Sequence, residues 1–349
     1  MSADAAAVLV VAPAWVGDMV MAQSLFITLK EQQPDRAIDV VAPPWSLPLL
    51  ARMPQVRRGI VLNTAHGELA LGERWRLGRS LRQRYQQAVV MPRSLKAALL
   101  PFFAGIAQRR GYLGEKRYLL LNDIIPLDKK RLKQTVQRYV ALATPKGQQV
   151  MAAPATPYPA LTVNAANQQR LWQTLQLNAN VAPQKTIALL AGAEYGPSKQ
   201  WSAAQYGEVA GRLIAQGYAV WLIGSNKDRS VADQINRCVA GQAVNLCGQT
   251  SLEDAVDLLA GVDAVVSNDS GLMHIAAAVG TPLVAIYGST TPRYTPPLTN
   301  HAEVLHLGLP CGPCFKRQCP IYETPACLDN ISVDRVEAAL LRLLSKQCH

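Results

Sequence analysis

A short turn in the second half of the chain has the residue types of an anion-binding site. The segment from Val265 to His274 reads VVSNDSGLMH, and an alanine-rich stretch and the apolar run Leu283 to Tyr287 follow it. This order predicts strand, tight turn, helix and strand, which places backbone N–H groups at a helix N-terminus. The small residues Ser270 and Gly271 would let a phosphate come close to those groups. An ordinary turn in which Asp269 and Ser270 cap the helix fits the pattern equally well.

A glycine-rich loop offers a second place for phosphate. Residues Gly192 to Trp201 read GAEYGPSKQW and come directly after a predicted strand. Lys199 is the single lysine of this loop, and the spacing does not match the G-x-x-x-x-G-K-[ST] phosphate loop. Lys199 is either a point charge for a phosphate or a solvated loop lysine. Two such loops in one domain together favour a diphosphate ligand.

A carboxylate follows the first predicted strand of the chain. The sequence there is Pro13-Ala14-Trp15-Val16-Gly17-Asp18, with Asp18 at the start of a predicted helix. A carboxylate at the edge of a sheet is able to take a proton from a substrate hydroxyl. Helix capping favours aspartate at the same position, and no partner carboxylate is near in sequence.

Four of the seven cysteines are crowded near the C-terminus. Their spacing is C-x2-C-x4-C-x7-C, whereas the other three, Cys238, Cys247 and Cys348, are scattered. Under reducing conditions such a group is either a structural zinc site or a set of reduced thiols, and the spacing is tighter than in common zinc ribbons. The four candidate ligands are Cys311, Cys314, Cys319 and Cys327.

Strand and helix patterns alternate through both halves, which predicts two parallel, doubly wound sheets. We expect an N-terminal Rossmann-like domain over 1–163, a second over 164–330, and a C-terminal helix within 331–349 that packs on the first domain. A proline-rich stretch, Pro145 to Ala166, is the expected linker. Ligands of such sheets bind at the carboxyl ends of the strands. The predicted strands are Val8–Ala12, Ile38–Ala42, Gly59–Leu62, Ala88–Met91, Thr186–Ala191, Ala219–Gly224, Ala243–Leu246, Ala264–Ser267, Leu283–Tyr287 and Val304–Leu307.

The net charge of +11 is confined to one half of the chain. Residues 1–150 contain 22 Lys and Arg against 10 Asp and Glu, whereas residues 151–349 contain 13 against 14. This asymmetry favours an anionic partner for the first half, either nucleic acid, a membrane surface or a phosphorylated substrate, over a merely solvated surface. Nucleic acid is disfavoured because aromatic residues make up only 6% of the chain and no recognised motif is present.

No segment of the sequence has the pattern of a signal peptide or a membrane span. The first residues, Met1-Ser2-Ala3-Asp4, lack basic side chains, and the longest apolar run, Ala97 to Ala107, is short and contains Pro101. We therefore expect a cytoplasmic protein.

Several segments resemble the lipopolysaccharide heptosyltransferases of glycosyltransferase family 9. Within this family, they resemble the enzymes that add the second inner-core heptose. The similarity extends over nearly the whole chain. The cysteine group departs from the family pattern, which does without it. The segments that carry the resemblance are Ala14 to Met21, Phe102 to Ile106, Tyr118 to Asp123, Lys199 to Trp201 and Asn268 to Ala278.

The resemblance implies a GT-B fold, in which two Rossmann-like domains face a central cleft. It implies an inverting transfer of L-glycero-D-manno-heptose from ADP-L-glycero-β-D-manno-heptose to the first heptose of heptosyl-Kdo2-lipid A. A sister heptosyltransferase that uses another inner-core acceptor is the alternative. The enzyme would be peripheral at the inner leaflet of the inner membrane, where lipid A phosphates and Kdo carboxylates explain the basic first half.

Residue roles follow from the same resemblance. Asp18 would deprotonate the acceptor hydroxyl, and the role of Asp269 near the donor sugar rests on the resemblance alone. Because amides and side chains of the second domain would meet the developing diphosphate charge, no divalent metal is needed for the chemistry. The acceptor would contact Arg93, Lys96 and Lys116. The donor would contact Gly192, Ala193, Lys199, Asp228, Thr250, Asp269, Ser270, Gly271, Leu272 and His274.

The sequence also fits a different class of protein. A non-catalytic protein that binds nucleotide or lipopolysaccharide would keep the phosphate loops and have no use for Asp18.

Overall fold

The computed structural model describes residues 7–65, 67–177 and 185–346. Those residues form two compact units, which divide between Pro159 and Ala160. The division lies four residues before the predicted boundary. The reason is that the backbone N–H of Leu161 donates to the Ala278 carbonyl at 3.0 Å, which attaches the end of the linker to the second unit.

The first unit is built on a parallel sheet of six strands in the order β3-β2-β1-β4-β5-β6. The strands are β1 Val8–Val11, β2 Ile38–Ala42, β3 Arg58–Val61, β4 Gln87–Val90, β5 Gln108–Tyr112 and β6 Asp123–Ile125. The helices are α1 Val16–Gln32, α2 Leu47–Leu50, α3 Leu71–Ser80, α4 Leu95–Phe103 and α5 Thr135–Val140, with short 3-10 helices at Pro44–Ser46 and Ala141–Ala143.

The second unit repeats this topology, with the strand order β12-β11-β10-β7-β8-β9 and parallel pairing throughout. The strands are β7 Thr186–Leu190, β8 Ala219–Leu222, β9 Val244–Asn245, β10 Ala264–Asn268, β11 Leu283–Tyr287 and β12 Ala302–His306. The helices are α6 Ala165–Thr174, α7 Ala203–Ala215, α8 Arg229–Cys238, α9 Leu252–Ala260, α10 Gly271–Ala278, α11 Ala326–Asp329 and α12 Val333–Ser345, with 3-10 helices at Pro197–Lys199 and Asn226–Asp228.

Central strands form where the sequence has continuous apolar runs. Every residue of β1, β2, β10 and β11 is buried, as expected for parallel strands covered on both faces. Two strands escaped prediction. β5 reads QRRGY, and its last three residues are buried, Arg110 among them because its Nε is paired with the Asp123 carboxylate of β6 at 2.8 Å. An apolar pattern cannot reveal a strand whose burial depends on an ion pair with a later residue.

The C-terminal helix belongs to the core of the second unit, which its apolar face joins. The expected packing of this helix on the first domain stays a prediction. Val336, Leu340 and Leu343 of that face are buried in the same cluster as Val284 and Ile286 of β11. The strongly amphipathic helix thus closes the second sheet on one side.

Within the described ranges 7–65, 67–177 and 185–346, no helix has the length and apolar character that crossing a bilayer requires.

Candidate active site

A pocket lies where the strand order of the first sheet reverses. Strands β2 and β3 extend from β1 in one direction, and β5 and β6 extend from β4 in the other. A crevice at the carboxyl ends of strands forms at such a point. Trp15 and Asp18 follow β1 there, and Arg93 and Lys96 follow β4.

The pocket has a volume of about 470 Å³ and combines cations with aromatic walls. Of the predicted acceptor residues, Arg93 and Lys96 line the pocket beside Asp18, whereas Lys116 lies on an exposed loop and is not among the lining residues. Sequence reasoning missed several polar groups that converge here from distant segments. They are Thr64, Arg74, Tyr112, Thr135, Arg138 and Tyr139.

Asp18 has a hydroxyl partner. Helices α1 and α5 pack together, and the Tyr139 side chain of α5 is hydrogen-bonded to Asp18. Burial, reinforced by the Asp18 charge, raises the pKa of Tyr139 well above its ordinary value. The hydroxyl therefore stays protonated and donates to the carboxylate, which fixes the orientation of Asp18. The two residues are far apart in sequence, so no local motif announces this pair.

A buried arginine forms part of the pocket wall. Arg74 is 5% exposed, and its Nε donates to the Leu69 carbonyl at 2.7 Å. Burial lowers the pKa of this guanidinium, and because arginine remains protonated in proteins, a fixed positive charge faces the pocket. Together with Arg93, Lys96 and Arg138, it makes the pocket suitable for an anionic molecule.

The second sheet reverses between β7 and β10, and one amide joins the two strand ends there. Nδ2 of Asn268 donates to the Ala191 carbonyl at 2.8 Å, and Oδ1 accepts the backbone N–H of Trp201 at 3.0 Å. Both groups of this buried side chain are satisfied. The bonds fix the glycine-rich loop after β7 against the turn after β10, so the two predicted phosphate loops lie side by side.

Lys199 and Asp269 form the centre of this second site. Their charged groups are 2.6 Å apart, and the side chains are 16% and 4% exposed. The hydroxyl of Thr290, after β11, donates to the same Asp269 oxygen at 2.5 Å. Asp269 thus holds the ammonium group of Lys199 in place. Thr290 was not predicted, because its role depends on the position of β11 next to β10.

Helix α10 begins beside this ion pair. The Ser270 side chain accepts the Met273 N–H, so the capping interpretation of the turn is confirmed for Ser270. Gly271 and Leu272 occupy the first turn, whose N–H groups are oriented for an anion. His274 is 5% exposed, and its pKa falls to about 4 because burial outweighs the opposing charge of Asp269. His274 is therefore neutral near pH 7 and supplies hydrogen bonding rather than charge.

The remaining predicted donor residues lie at the same edge of the sheet. A Cβ at Gly192 would lie 2.4 Å from the Asp228 carboxylate, so a side chain there would displace that carboxylate. That carboxylate accepts the N–H of Ser225 at 2.8 Å and its hydroxyl at 2.7 Å, so Asp228 has a structural partner of its own. Ala193 follows Gly192, and Thr250 lies in the loop between β9 and α9.

A cysteine-bearing loop runs beside the second site and contributes a cation that sequence reasoning missed. The N–H of Ser198 donates to the Arg317 carbonyl at 3.2 Å, and the hydroxyl of Tyr195 donates to the Phe315 carbonyl at 2.6 Å. The charged groups of Lys199 and Arg317 lie 5.2 and 5.7 Å from the centre of the Tyr195 ring. Arg317 therefore lies on the same aromatic ring as Lys199, and the sequence signal was the Lys-Arg pair between the second and third clustered cysteines.

The four clustered cysteines line one cavity of about 40 Å³, together with Ser198 and Ser289 of the neighbouring loops. Their thiols are free, and the pKa of Cys327 rises to about 11 through burial and the proximity of the other three. In the part of the chain that the structure describes, no three His, Cys, Asp or Glu side chains stand together as metal ligands. The zinc site therefore stays a prediction. Cys348 lies outside the described residues.

Known proteins resemble this chain over most of its length. The sequence profile of glycosyltransferase family 9 (heptosyltransferase) matches residues 74–324. Lipooligosaccharide heptosyltransferase 2 of Haemophilus influenzae is 49% identical over 307 residues, which cover 86% of this chain and 88% of the relative. Lipopolysaccharide heptosyltransferase 2 of Escherichia coli is 45% identical over 309 residues, with the same coverage.

A solved structure agrees with these relatives. The Escherichia coli ADP-heptose LPS heptosyltransferase II has a TM-score of 0.85 and 40% identity, covering 98% of this chain and 99% of that one. The predicted GT-B class with two Rossmann-like domains is confirmed, as is the resemblance noted from the sequence motifs. The chain belongs to glycosyltransferase family 9, the heptosyltransferases.

Proposed function

We propose that this glycosyltransferase moves L-glycero-D-manno-heptose from ADP-heptose to the first heptose of the lipopolysaccharide inner core, on heptosyl-Kdo2-lipid A. The observation that carries the proposal is the similarity of nearly the whole chain to enzymes named heptosyltransferase 2. The two sites support it independently, since one is shaped for a diphosphate and the other for a large anionic molecule beside a carboxylate.

The second unit would hold the donor. In an inverting displacement the sugar leaves ADP as the acceptor oxygen attacks, and negative charge develops on the diphosphate. Lys199, held by Asp269, and the first N–H groups of α10 would stabilise that charge. Arg317 would add a second cation. Asp228 and Thr250 are the proposed contacts to the adenosine portion, next to Gly192 and Ala193.

Asp18 would act as the general base. Its carboxylate lines the first pocket and accepts a hydrogen bond from Tyr139, which keeps one oxygen oriented. The other oxygen would take the proton of the acceptor hydroxyl as the bond to the heptose carbon forms. With the base in one unit and the leaving-group cations in the other, each unit has one task in the reaction.

The first pocket would receive the acceptor. Kdo carboxylates and lipid A phosphates are permanently charged near neutral pH, and Arg93, Lys96 and the buried Arg74 provide fixed positive charge. Lys116 would contact the acceptor outside the pocket. Because the acceptor is lipid-anchored, we place the enzyme in the cytoplasm, peripheral at the inner leaflet of the inner membrane.

The chemistry would need no cofactor, because protein groups meet the charge of the leaving diphosphate. The cysteine cluster is a separate matter. We propose that Cys311, Cys314, Cys319 and Cys327 are the ligands of a structural zinc, since all four line one cavity. Thiolates are the ligands that zinc prefers in closed structural sites.

Release of ADP by purified protein with ADP-heptose tests the proposal. We expect turnover with heptosyl-Kdo2-lipid A and none above background with the heptose-free acceptor. Preferential turnover of the heptose-free acceptor would instead identify the protein as a sister heptosyltransferase. The similarity to relatives named heptosyltransferase 2 does not favour this alternative. Donor binding without turnover on either acceptor would indicate a non-catalytic binding protein.

A further inference from the structure

The outer surface of helices α3 and α4 combines exposed arginines with exposed apolar side chains. Residues 74–84 contain five arginines and no acidic residue. Trp75 on α3 and Phe102 on α4 are 49% and 43% exposed. We call this surface, with the adjoining loop tip, the aromatic–arginine face; it comprises Trp75, Arg76, Arg79, Arg82, Phe102, Tyr118 and Leu119.

Close packing makes the two helices one surface. A Cβ at Gly78 of α3 would lie 2.7 Å from the Phe103 Cβ and 2.9 Å from the Leu100 carbonyl. The backbone of α3 at Gly78 therefore lies directly against α4. Arg82 donates to the Phe103 carbonyl at 3.4 Å across the same contact. The segment after α3 therefore contacts the C-terminal end of α4, next to the exposed Phe102.

The exposed aromatic rings of this face contact arginine guanidinium groups. The Arg79 guanidinium lies 5.3 Å from the centre of the Trp75 ring, and that of Arg109 lies 5.6 Å from the centre of the Phe102 ring. A neighbouring carboxylate, Glu73, is paired with Arg76 at 2.9 Å. The surface is positive and aromatic at once.

A rigid loop presents the most exposed apolar side chain. Leu119 is 87% exposed and Tyr118 is 61% exposed. Next to them, the buried Arg117 donates to the carbonyls of Pro92 and Ser94 at 2.7 and 2.8 Å, and to that of Tyr112 at 2.6 Å. Arg109 donates to the Leu120 carbonyl at 2.8 Å. These hydrogen bonds fix the loop on both sides of its tip, where the Leu119 side chain is exposed to solvent.

We propose that the aromatic–arginine face docks on the headgroup region of a bilayer that contains anionic phospholipid. Arginines would contact lipid phosphates, while Trp75, Tyr118 and Leu119 enter the interface, where aromatic and aliphatic side chains with cationic neighbours are favoured. This inference extends the proposed function, on which its purpose rests, because a lipid-anchored acceptor must be reached at such a surface.

Two other occupants fit the face less well. A second copy of the chain related by two-fold symmetry would bring the same arginines against each other. Nucleic acid would satisfy the arginines, but an aliphatic side chain such as Leu119 offers no ring for a base to stack on.

Vesicle co-sedimentation of the full chain tests the proposal. We expect binding to vesicles of phosphatidylglycerol mixed with phosphatidylcholine, little binding to phosphatidylcholine alone, and a steep decrease with added salt. R76E/R79E should lower the partition coefficient by at least about 25-fold, since each arginine near the surface contributes about fivefold. L119S, which changes no charge, should lower it about fivefold.

The matched control is R237E/R335E, which reverses two exposed arginines of the second unit. It should bind vesicles like the wild type, and equal melting temperatures would show that all variants fold. Equal losses in both double variants would overturn the proposal, because net charge alone would then explain binding. Binding to a single-stranded oligonucleotide without vesicle binding, or dimerisation abolished by R76E/R79E without vesicle binding, would also overturn it.

A water-soluble acceptor fragment separates this inference from the proposed function. R76E/R79E should turn over the fragment like the wild type and lose activity only on acceptor embedded in vesicles. Turnover of the fragment without any vesicle binding would leave the proposed function standing and reject the docking face. Vesicle binding without heptose transfer to either acceptor would reject the function alone.

Discussion

The two units have the same sheet topology and place their polar residues at the same topological position. They differ in whether the charged side chains there line a pocket or are paired with each other. In the first unit, Arg93 and Lys96 line an open pocket of about 470 Å³. In the second, the half-buried Lys199 and the buried Asp269 are paired with each other at 2.6 Å. In the first unit, the positive side chains line a space that a large ligand can enter. In the second, the Lys199 ammonium group is already held in position by Asp269 before a ligand binds.

This difference fits the two halves of a glycosyl transfer. A leaving diphosphate is a small group of constant shape, so preorganised cations stabilise it with little rearrangement. An acceptor that is large and carries several charges requires space, and one carboxylate held in position is enough to activate its hydroxyl.

The largest effect is expected for Asp18→Asn. An amide cannot take the acceptor proton, so kcat should fall by about 10²- to 10⁴-fold. Binding of ADP, which concerns the other unit, should be unchanged by calorimetry. Turnover at the wild-type rate would exclude Asp18 as the general base.

The next effect concerns the preorganised cation. Lys199→Ala should raise the KM for ADP-heptose by about 10- to 100-fold, because a charge-assisted hydrogen bond contributes about 1.5 to 3 kcal/mol. Lys227→Ala is the matched control, since Lys227 is 74% exposed and pairs with Glu194 at the surface. If the two lysine variants had the same kinetics as the wild type, Lys199 would not belong to the donor site.

Burial of His274 predicts a pH dependence of stability in the second unit. The pKa is about 4 in the folded chain and about 6.5 when unfolded, so between these values only the unfolded chain binds the proton. Stability should therefore fall as the pH drops from 6.5 towards 4, by about 2 kcal/mol at pH 5. Urea unfolding at pH 7.5 and pH 5 measures this, and His274→Gln should reduce the difference. An equal difference in the variant would assign the effect to other groups.

The smallest effect on stability is expected at the cysteine cluster, whose cavity is also lined by Ser198 and Ser289. Protein purified under reducing conditions should contain about one zinc per chain, and C311S/C314S should lose it with a moderate decrease in melting temperature. Cys238→Ser, which changes a cysteine outside the cluster, serves as the control. Zinc far below one per chain in the wild type would leave the four residues as reduced thiols.

Much of the scaffold was readable from local pattern. All ten predicted strands are present within one or two residues at either end, because parallel central strands are continuous apolar runs. Two helix starts also follow local sequence: Ser202 accepts the Gln205 N–H, and Ser251 accepts the Asp254 N–H while the Asp254 carboxylate accepts the Ser251 N–H in return. Capping depends on residues three apart, which a sequence displays directly.

The site was less predictable wherever its partners come from different elements. Tyr139 reaches Asp18 only because α5 packs on α1, and Thr290 reaches Asp269 only because β11 lies beside β10. The neutral state of His274 depends on burial that no spacing reveals. Residue type identified the candidate groups, while tertiary packing decided their partners and protonation.

The separate cores of the two units have a consequence for how such enzymes diversify. The core of the second unit includes α12 and lies entirely within residues that follow the linker. Substitutions around the first pocket can therefore accumulate without disturbing Lys199, Asp269 or the turn at Asn268. On the proposed division of tasks, new acceptor preferences can arise by substitution in the first unit while the second is inherited unchanged, and exchange of the first unit between relatives offers a route to engineered transferases.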